Sequence, residues 1–190
     1  MGYKIIFLDI DGVLNNDSCI TQVITENKNN ILKYTFSTSI LNNLKNIIDM
    51  TNAYIVISSV WRLTQKEFNH WQRTGESSDN PWNNIIENFR PYGLVDKIIG
   101  VTPRLIYPSL KDVERGIEIE KWIENNSDLS IESIVIIDDD NDMYPYSSHL
   151  ILCDSGDGLT ERVAKKAVKM LLKPLKRDVK VKKIGSIKSN

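Results

Sequence analysis

The stretch IIFLDIDGVLN, residues 5–15, sets two carboxylates, Asp9 and Asp11, two positions apart at the end of an apolar run and directly before Gly12. Like charges at that range repel each other unless a cation or a phosphoryl group shares the place. Other reactive clusters stand in the same setting. Ser58 and Ser59 follow the apolar run Ile55-Val56-Ile57 within SSVWR, and Asp138, Asp139, Asp140 and Asp142 follow the run from Ile134 to Ile137. Lys111 and Arg115 stand near the start of the helix predicted to lead into that last run. A lone Asp-x-Asp-Gly also resembles part of a calcium loop, but that loop needs a third oxygen ligand before its glycine, and Gly12 follows Asp11 at once. Three consecutive aspartates alone would read as a solvated turn. Together at successive apolar termini, the acids, hydroxyls and cation read as one site.

The elements that must carry these residues follow from hydrophobic patterning. The pattern predicts strands over Tyr3–Leu8, Ala53–Ile57, Val95–Ile99, Ile134–Ile137 and Leu150–Leu152. Helices are predicted from Ser37 or Ser39 to about Met50, around Lys66–Gln72, over Trp82–Phe89, over Val113–Asn125 and over Leu159–Leu172. Residues 15–36 are Asn-rich and weakly patterned, so a loop or small flap is expected there, and 74–81 reads as a mobile loop. Strands alternating with helices imply a parallel sheet with right-handed crossovers. Ligands of such sheets bind beyond the carboxyl ends of the strands. Those are the ends at which the reactive clusters sit.

At 190 residues, 41% hydrophobic and 26% charged, the chain has the composition of one globular domain and not of a disordered segment. We expect a domain over 1–172, with the 15–36 insert, and a basic tail over 173–190. No apolar run approaches a membrane span, and the N-terminus lacks a secretory pattern. Two unpatterned cysteines, Cys19 and Cys153, fit a reduced cytoplasmic setting. The net charge of −1 is unevenly spread: residues 173–190 carry seven Lys or Arg against one Asp. Such a tail fits either a polyanionic partner or a solvated terminus.

The stretch DIDGVLN resembles the first motif of the haloacid dehalogenase superfamily of phosphatases. Ser58 resembles its second motif, Lys111 or Arg115 its third, and IIDD with Asp142 its fourth. More narrowly, SSVWR, IIGVTPRL, RGIEIEKWI, IIDDDNDM and GLTE resemble the small phosphatase domains of bacterial and phage RNA-repair proteins. The resemblance implies a Rossmann-like α/β three-layer sandwich, a five-stranded parallel sheet and a minimal cap. It implies Asp9 as nucleophile, with Asp11 as the acid and then the base. Mg²⁺ would be held by Asp9, Asp11 through its backbone carbonyl, and Asp138, with Asp139 or Asp142 in support. Ser58 and the Ser59 N–H would bind the phosphoryl oxygens, Lys111 or Arg115 would neutralise charge, and Gly12 would let the chain turn beside the phosphate.

Arg62 and Arg104, just past strand ends, are candidates for a substrate phosphate. Trp61, Trp71 and Trp82 read as core residues or as base-stacking ones, and Trp122 as core. His70 and His149 have no partner at metal or nucleophile spacing and read as structural. The expected substrates are phosphorylated, RNA or DNA ends first among them, with a small-molecule phosphatase as the runner-up. A catalytically idle binding protein is disfavoured, because a binding-only site has no need of Asp11.

Overall fold

The computed structural model describes residues 2–26, 29–105 and 113–173. The elements run β1 (Tyr3–Leu8), β2 (Ile20–Glu26), β3 (Asn29–Thr35), α1 (Thr38–Thr51), β4 (Tyr54–Ile57), α2 (Gln65–Thr74), α3 (Asn80–Phe89), β5 (Ile98–Val101), α4 (Arg115–Asn125), β6 (Ile131–Asp138), β7 (Leu150–Leu152) and α5 (Glu161–Leu171). Lys111 and residues 174–190, which include most of the basic tail, lie outside the described residues.

Ile5, Ile6, Phe7 and Leu8 are all fully buried, which suits the centre of a parallel sheet covered on both faces. The strand β1 pairs in parallel with β4 on one side and β6 on the other; β5 and β7 complete the order β5-β4-β1-β6-β7. The two-residue strand period divides the core. Ile6, Leu8, Ile55, Ile57, Val135 and Ile137 face the apolar sides of α1, α3 and α5. Ile5, Phe7, Val56, Ile134 and Ile136 face Ile119 and Trp122 of α4. The result is a Rossmann-like α/β sandwich of three layers around a five-stranded parallel sheet.

Residues 15–36, expected to form a loop or flap, contain an antiparallel hairpin in register from Ile20–Thr35 to Glu26–Asn29. Its outer edge is fastened to α3 by two asparagines one turn apart. The Asn84 side chain accepts from the Tyr34 N–H at 2.9 Å and donates to the Leu32 carbonyl at 3.2 Å. The Asn88 side chain accepts from the Phe36 N–H at 2.8 Å and donates to the Tyr34 carbonyl at 2.9 Å. These bonds satisfy an edge strand that would otherwise offer open backbone groups. The base of the hairpin is thus part of the body.

Candidate active site

Hydrogen bonding continues one residue past the strand ends. The Asp9 N–H donates to the Ile137 carbonyl, Ser58 to Leu8, Thr102 to Ile57 and Cys153 to Asp138. Asp9, Ser58, Thr102 and Asp138 are thereby held along the carboxyl edge of the sheet, and all four are buried. The Thr102 hydroxyl lies 3.5 Å from the Ser58 hydroxyl.

Gly12 closes this corner. Its φ of +66° is costly for an L side chain, and a Cβ there would stand 2.1 Å from Asp139 Oδ2. The absence of a side chain is what brings Asp139 against the Asp9–Asp11 turn. Oxygen atoms of Asp9, Asp138 and Asp139 lie within 4.8 Å of one another. Burial pushes the Asp9 carboxyl up to about 6 against the pull of Arg115, and a hydrogen bond from the Ser59 side chain also favours its charged form. Burial, followed by the charge of Asp9, pushes Asp138 up to about 8. Three converging carboxylates, oxygen donors only and costly to ionise together, fit a hard dication such as Mg²⁺.

Arg115 faces the same acids. Its Nη1 lies 2.7 Å from Asp138 Oδ2 and 3.4 Å from Asp9 Oδ1, and its Nη2 lies 3.1 Å from Asp140 Oδ2. Burial opposes its charge, but Asp138, Asp9, Asp142 and Asp140 outweigh that and raise its pKa. Of the two cations left open by the sequence, Arg115 meets Asp9, whereas Lys111 is outside the described residues. Helix α4 begins at Arg115, not at Val113, because Asp142 caps it from another segment. Asp142 Oδ2 accepts the Arg115 N–H at 3.2 Å and its carbonyl accepts the Gly116 N–H at 3.1 Å. Asp142, expected to support the metal, therefore sets the helix start instead of joining the three-acid cluster.

Asp11 is held by both oxygens. Asn15 Nδ2 donates to Oδ1 at 2.7 Å and Trp61 Nε1 donates to Oδ2 at 2.8 Å. Its side chain is outside the three-acid cluster, so any metal contact from this residue falls to its backbone carbonyl. In the sequence alone, Trp61 reads as core or base-stacking and Asn15 has no role of its own; the contact of both with Asp11 is new. The visible signal was Asn15 four positions after Asp11 and a tryptophan directly after SSV.

Arg62 requires a correction. Expected to meet substrate, it is buried and its donors are engaged: Nη1 to the Ser59 carbonyl at 2.7 Å, Nε to the Thr102 carbonyl at 2.9 Å, and Nη2 to Glu118 Oε2 at 2.6 Å. Burial lowers its pKa, with Glu118 opposing. Glu118 also accepts the Leu105 N–H at 3.0 Å. The pair ties the Ser58-Ser59 turn, the end of β5 and helix α4 together. Arg104 is likewise a loop clamp, donating to the Val60 and Arg62 carbonyls. Trp82 is fully buried and Trp122 nearly so, and both belong to the core.

Removing one member of a buried ion pair strands the other charge at a cost of about 3–5 kcal/mol. Arg62→Ala and Glu118→Ala are each expected to lose stability of that order in urea unfolding. Arg62→Met with Glu118→Leu together should recover most of it. A loss under about 1 kcal/mol in either single variant would mean that the pair is solvated.

The raised acids predict a pH dependence for the protein in chelator. Folded Asp9 and Asp138 keep protons that the unfolded chain, near its ordinary 3.8, has already released. Where the folded state binds more protons, stability falls as pH rises. The melting temperature should therefore fall from about pH 5 to about pH 8, and the fall should be shallower in Asp138→Asn. Added Mg²⁺ should recover more stability at the upper end of that window than at the lower. A rising or flat curve across the window would mean that the acids are not desolvated.

Searched against curated proteins, the chain finds no match. A family model described as the HAD domain in Swiss Army Knife RNA repair proteins matches residues 5–164, from within β1 into α5 and across all the strand ends of the site. The chain belongs to that family of haloacid dehalogenase phosphatase domains.

Proposed function

We propose that this protein is a Mg²⁺-dependent phosphomonoesterase that removes phosphate from nucleic-acid ends, in the manner of a 3′-phosphatase, through an aspartyl-phosphate at Asp9. The observation that carries the reading is the division of labour between two neighbouring carboxylates. Asp9 is buried against Arg115 and the acid cluster, whereas Asp11 is held by Trp61 and Asn15 outside it.

An Asp9 oxygen attacks phosphorus, the bond from phosphorus to the ester oxygen breaks, and the departing oxygen takes the proton carried by Asp11. Asp11 then takes a proton from the water that attacks the aspartyl-phosphate, which frees inorganic phosphate and restores Asp9. The Ser58 hydroxyl and the N–H of Ser59 hold phosphoryl oxygens, and Arg115 offsets their charge. When bound at Asp9, Asp138 and Asp139, Mg²⁺ supplies charge neutralisation for the acids and for the phosphoryl group. Asp11 is aimed by its two donors, which limits its swing between the two proton transfers.

Two features support the nucleic-acid end. The matching family is described by its place in RNA repair proteins. The insert that could have served as a lid is bonded to α3 along residues 32–36, which holds its base in place and favours a polymer end over an enclosed small molecule. The test is a turnover screen with Mg²⁺ that compares 3′- and 5′-phosphorylated RNA and DNA oligonucleotides, free nucleotides and sugar phosphates. The expected result is the highest kcat/KM on a 3′-phosphorylated oligonucleotide. Preference for a sugar phosphate or free nucleotide would replace the substrate class with the small-molecule one. No turnover of any ester would reject the enzyme reading.

A further inference from the structure

The candidate site has two unlike sides. On the β6 side stand Asp138, Asp139, Asp140 and Arg115, all ionisable. On the β4 side Asp11 leans on Trp61, and the Tyr34 ring packs on Trp61 at 4.8 Å between centroids, tilted by 59°. Tyr34 is half-buried and packs against the core through this contact. The hairpin register sets Tyr34 opposite Thr21 and Leu32 opposite Val23, and the two-residue period puts all four on one face. Val23 and Leu32 are 64% and 49% exposed, so the wall continues outward from Tyr34 as bare aliphatic surface. Thr21, Val23, Leu32 and Tyr34 carry no charge. The one Lys on this part of β3, Lys33, lies on the opposite face and pairs with Glu87 at 2.7 Å.

This wall is built into the fold. Both backbone groups of Tyr34 are bonded by Asn84 and Asn88, so the ring is presented from a fixed strand. Its place against Trp61, which holds Asp11, decides what can reach it. In the reaction above, the ester oxygen leaves toward the group that protonates it, so whatever carries that oxygen lies on the Asp11–Trp61–Tyr34 side. An uncharged aromatic and aliphatic wall does not suit a second phosphate. It suits the π face of a base, and it accepts any base because each has one.

We propose that Tyr34 is the stacking platform for the base of the nucleotide that bears the scissile phosphate, with Val23 and Leu32 extending the platform along the strand. This rests on the nucleic-acid-end reading and makes it specific: the leaving group is a nucleoside recognised through its base face, without base-edge readout. Tyr34 is then a specificity-determining residue, and Trp61 both orients Asp11 and backs the platform.

The test uses the full chain with Mg²⁺ and two 3′-phosphorylated oligonucleotides that differ only in their last nucleotide, one bearing a base and one abasic. The readout is the ratio of their kcat/KM values, which cancels any general loss of activity. In the wild type the ratio should be about ten, from one base–aromatic stack. It should be retained in Tyr34→Phe and fall toward about one in Tyr34→Leu, mainly through KM. A wild-type ratio near one, or an unchanged ratio in Tyr34→Leu, overturns the platform while leaving the 3′-phosphatase reading intact. Wild type that ignores both oligonucleotides but hydrolyses small esters removes the substrate reading, and the platform falls with it.

Discussion

Asp9→Asn should lose about four orders of magnitude or more in kcat, because no neighbouring group can take over the covalent step. Asp11→Asn should lose about two to four orders, the usual worth of a positioned proton donor. The two should differ in kind as well as size. Asp11→Asn can still be phosphorylated by an ester whose leaving group needs no proton, so an activated aryl phosphate should recover part of its first step and none of Asp9→Asn. Asp9→Asn should not harm the fold in chelator. Asp9 is buried with its pKa raised, and replacing a costly charge by an amide at neutral pH is expected to be neutral or stabilising. Asp9→Asn less stable than wild type by more than about 1 kcal/mol would contradict that electrostatic account.

Arg115→Ala is the second large effect. One guanidinium meets Asp138, Asp9 and Asp140, so on the proposed mechanism its loss removes charge neutralisation from both the nucleophile and the transferred group. Removal of one such stabilising group costs about two to three orders of magnitude in kcat. Arg115→Lys should recover only part, since an ammonium cannot span Asp138 and Asp140 with separate donors as the planar fork does. Asp140 offers the contrast. Its side chain is 67% exposed, and Asp140→Ala should cost far less than Asp138→Ala, which should lower metal affinity and activity together. Equal losses at 138 and 140 would mean that the acid cluster is wrongly assigned.

The sheet was legible because buried parallel strands are continuous apolar runs, and the polar residue that ends each run is the one that lands on the ligand edge. Asp9, Ser58 and Asp138 were found that way, and the family resemblance read from the same stretches agrees with the family match over 5–164. What could not be read locally depends on partners far along the chain. Arg62 looks like a free cation past a strand end until Glu118, fifty-six positions later, is brought against it. The hairpin was invisible as such because its polar residues mimic a loop, and its outer edge is satisfied by Asn84 and Asn88 from α3. The choice between Lys111 and Arg115 could not be made from spacing, since the start of α4 is set by Asp142 from beyond β6. Trp61 was weighed as core or as a base-stacking residue. It packs in the core and also spends its one N–H on Asp11.

The most direct measurement of the central claim is the location of the covalent phosphate. Wild type should be mixed with Mg²⁺ and a 3′-phosphorylated oligonucleotide, quenched in acid during turnover, reduced with borohydride and analysed by peptide mass spectrometry. The expected result is reductive conversion of Asp9 to homoserine, dependent on substrate and Mg²⁺, absent in Asp9→Asn, and accumulating further in Asp11→Asn with an activated ester. Conversion at Asp11 or Asp138 instead, or sustained turnover with no modified Asp9, would contradict the assignment of Asp9 as the nucleophile.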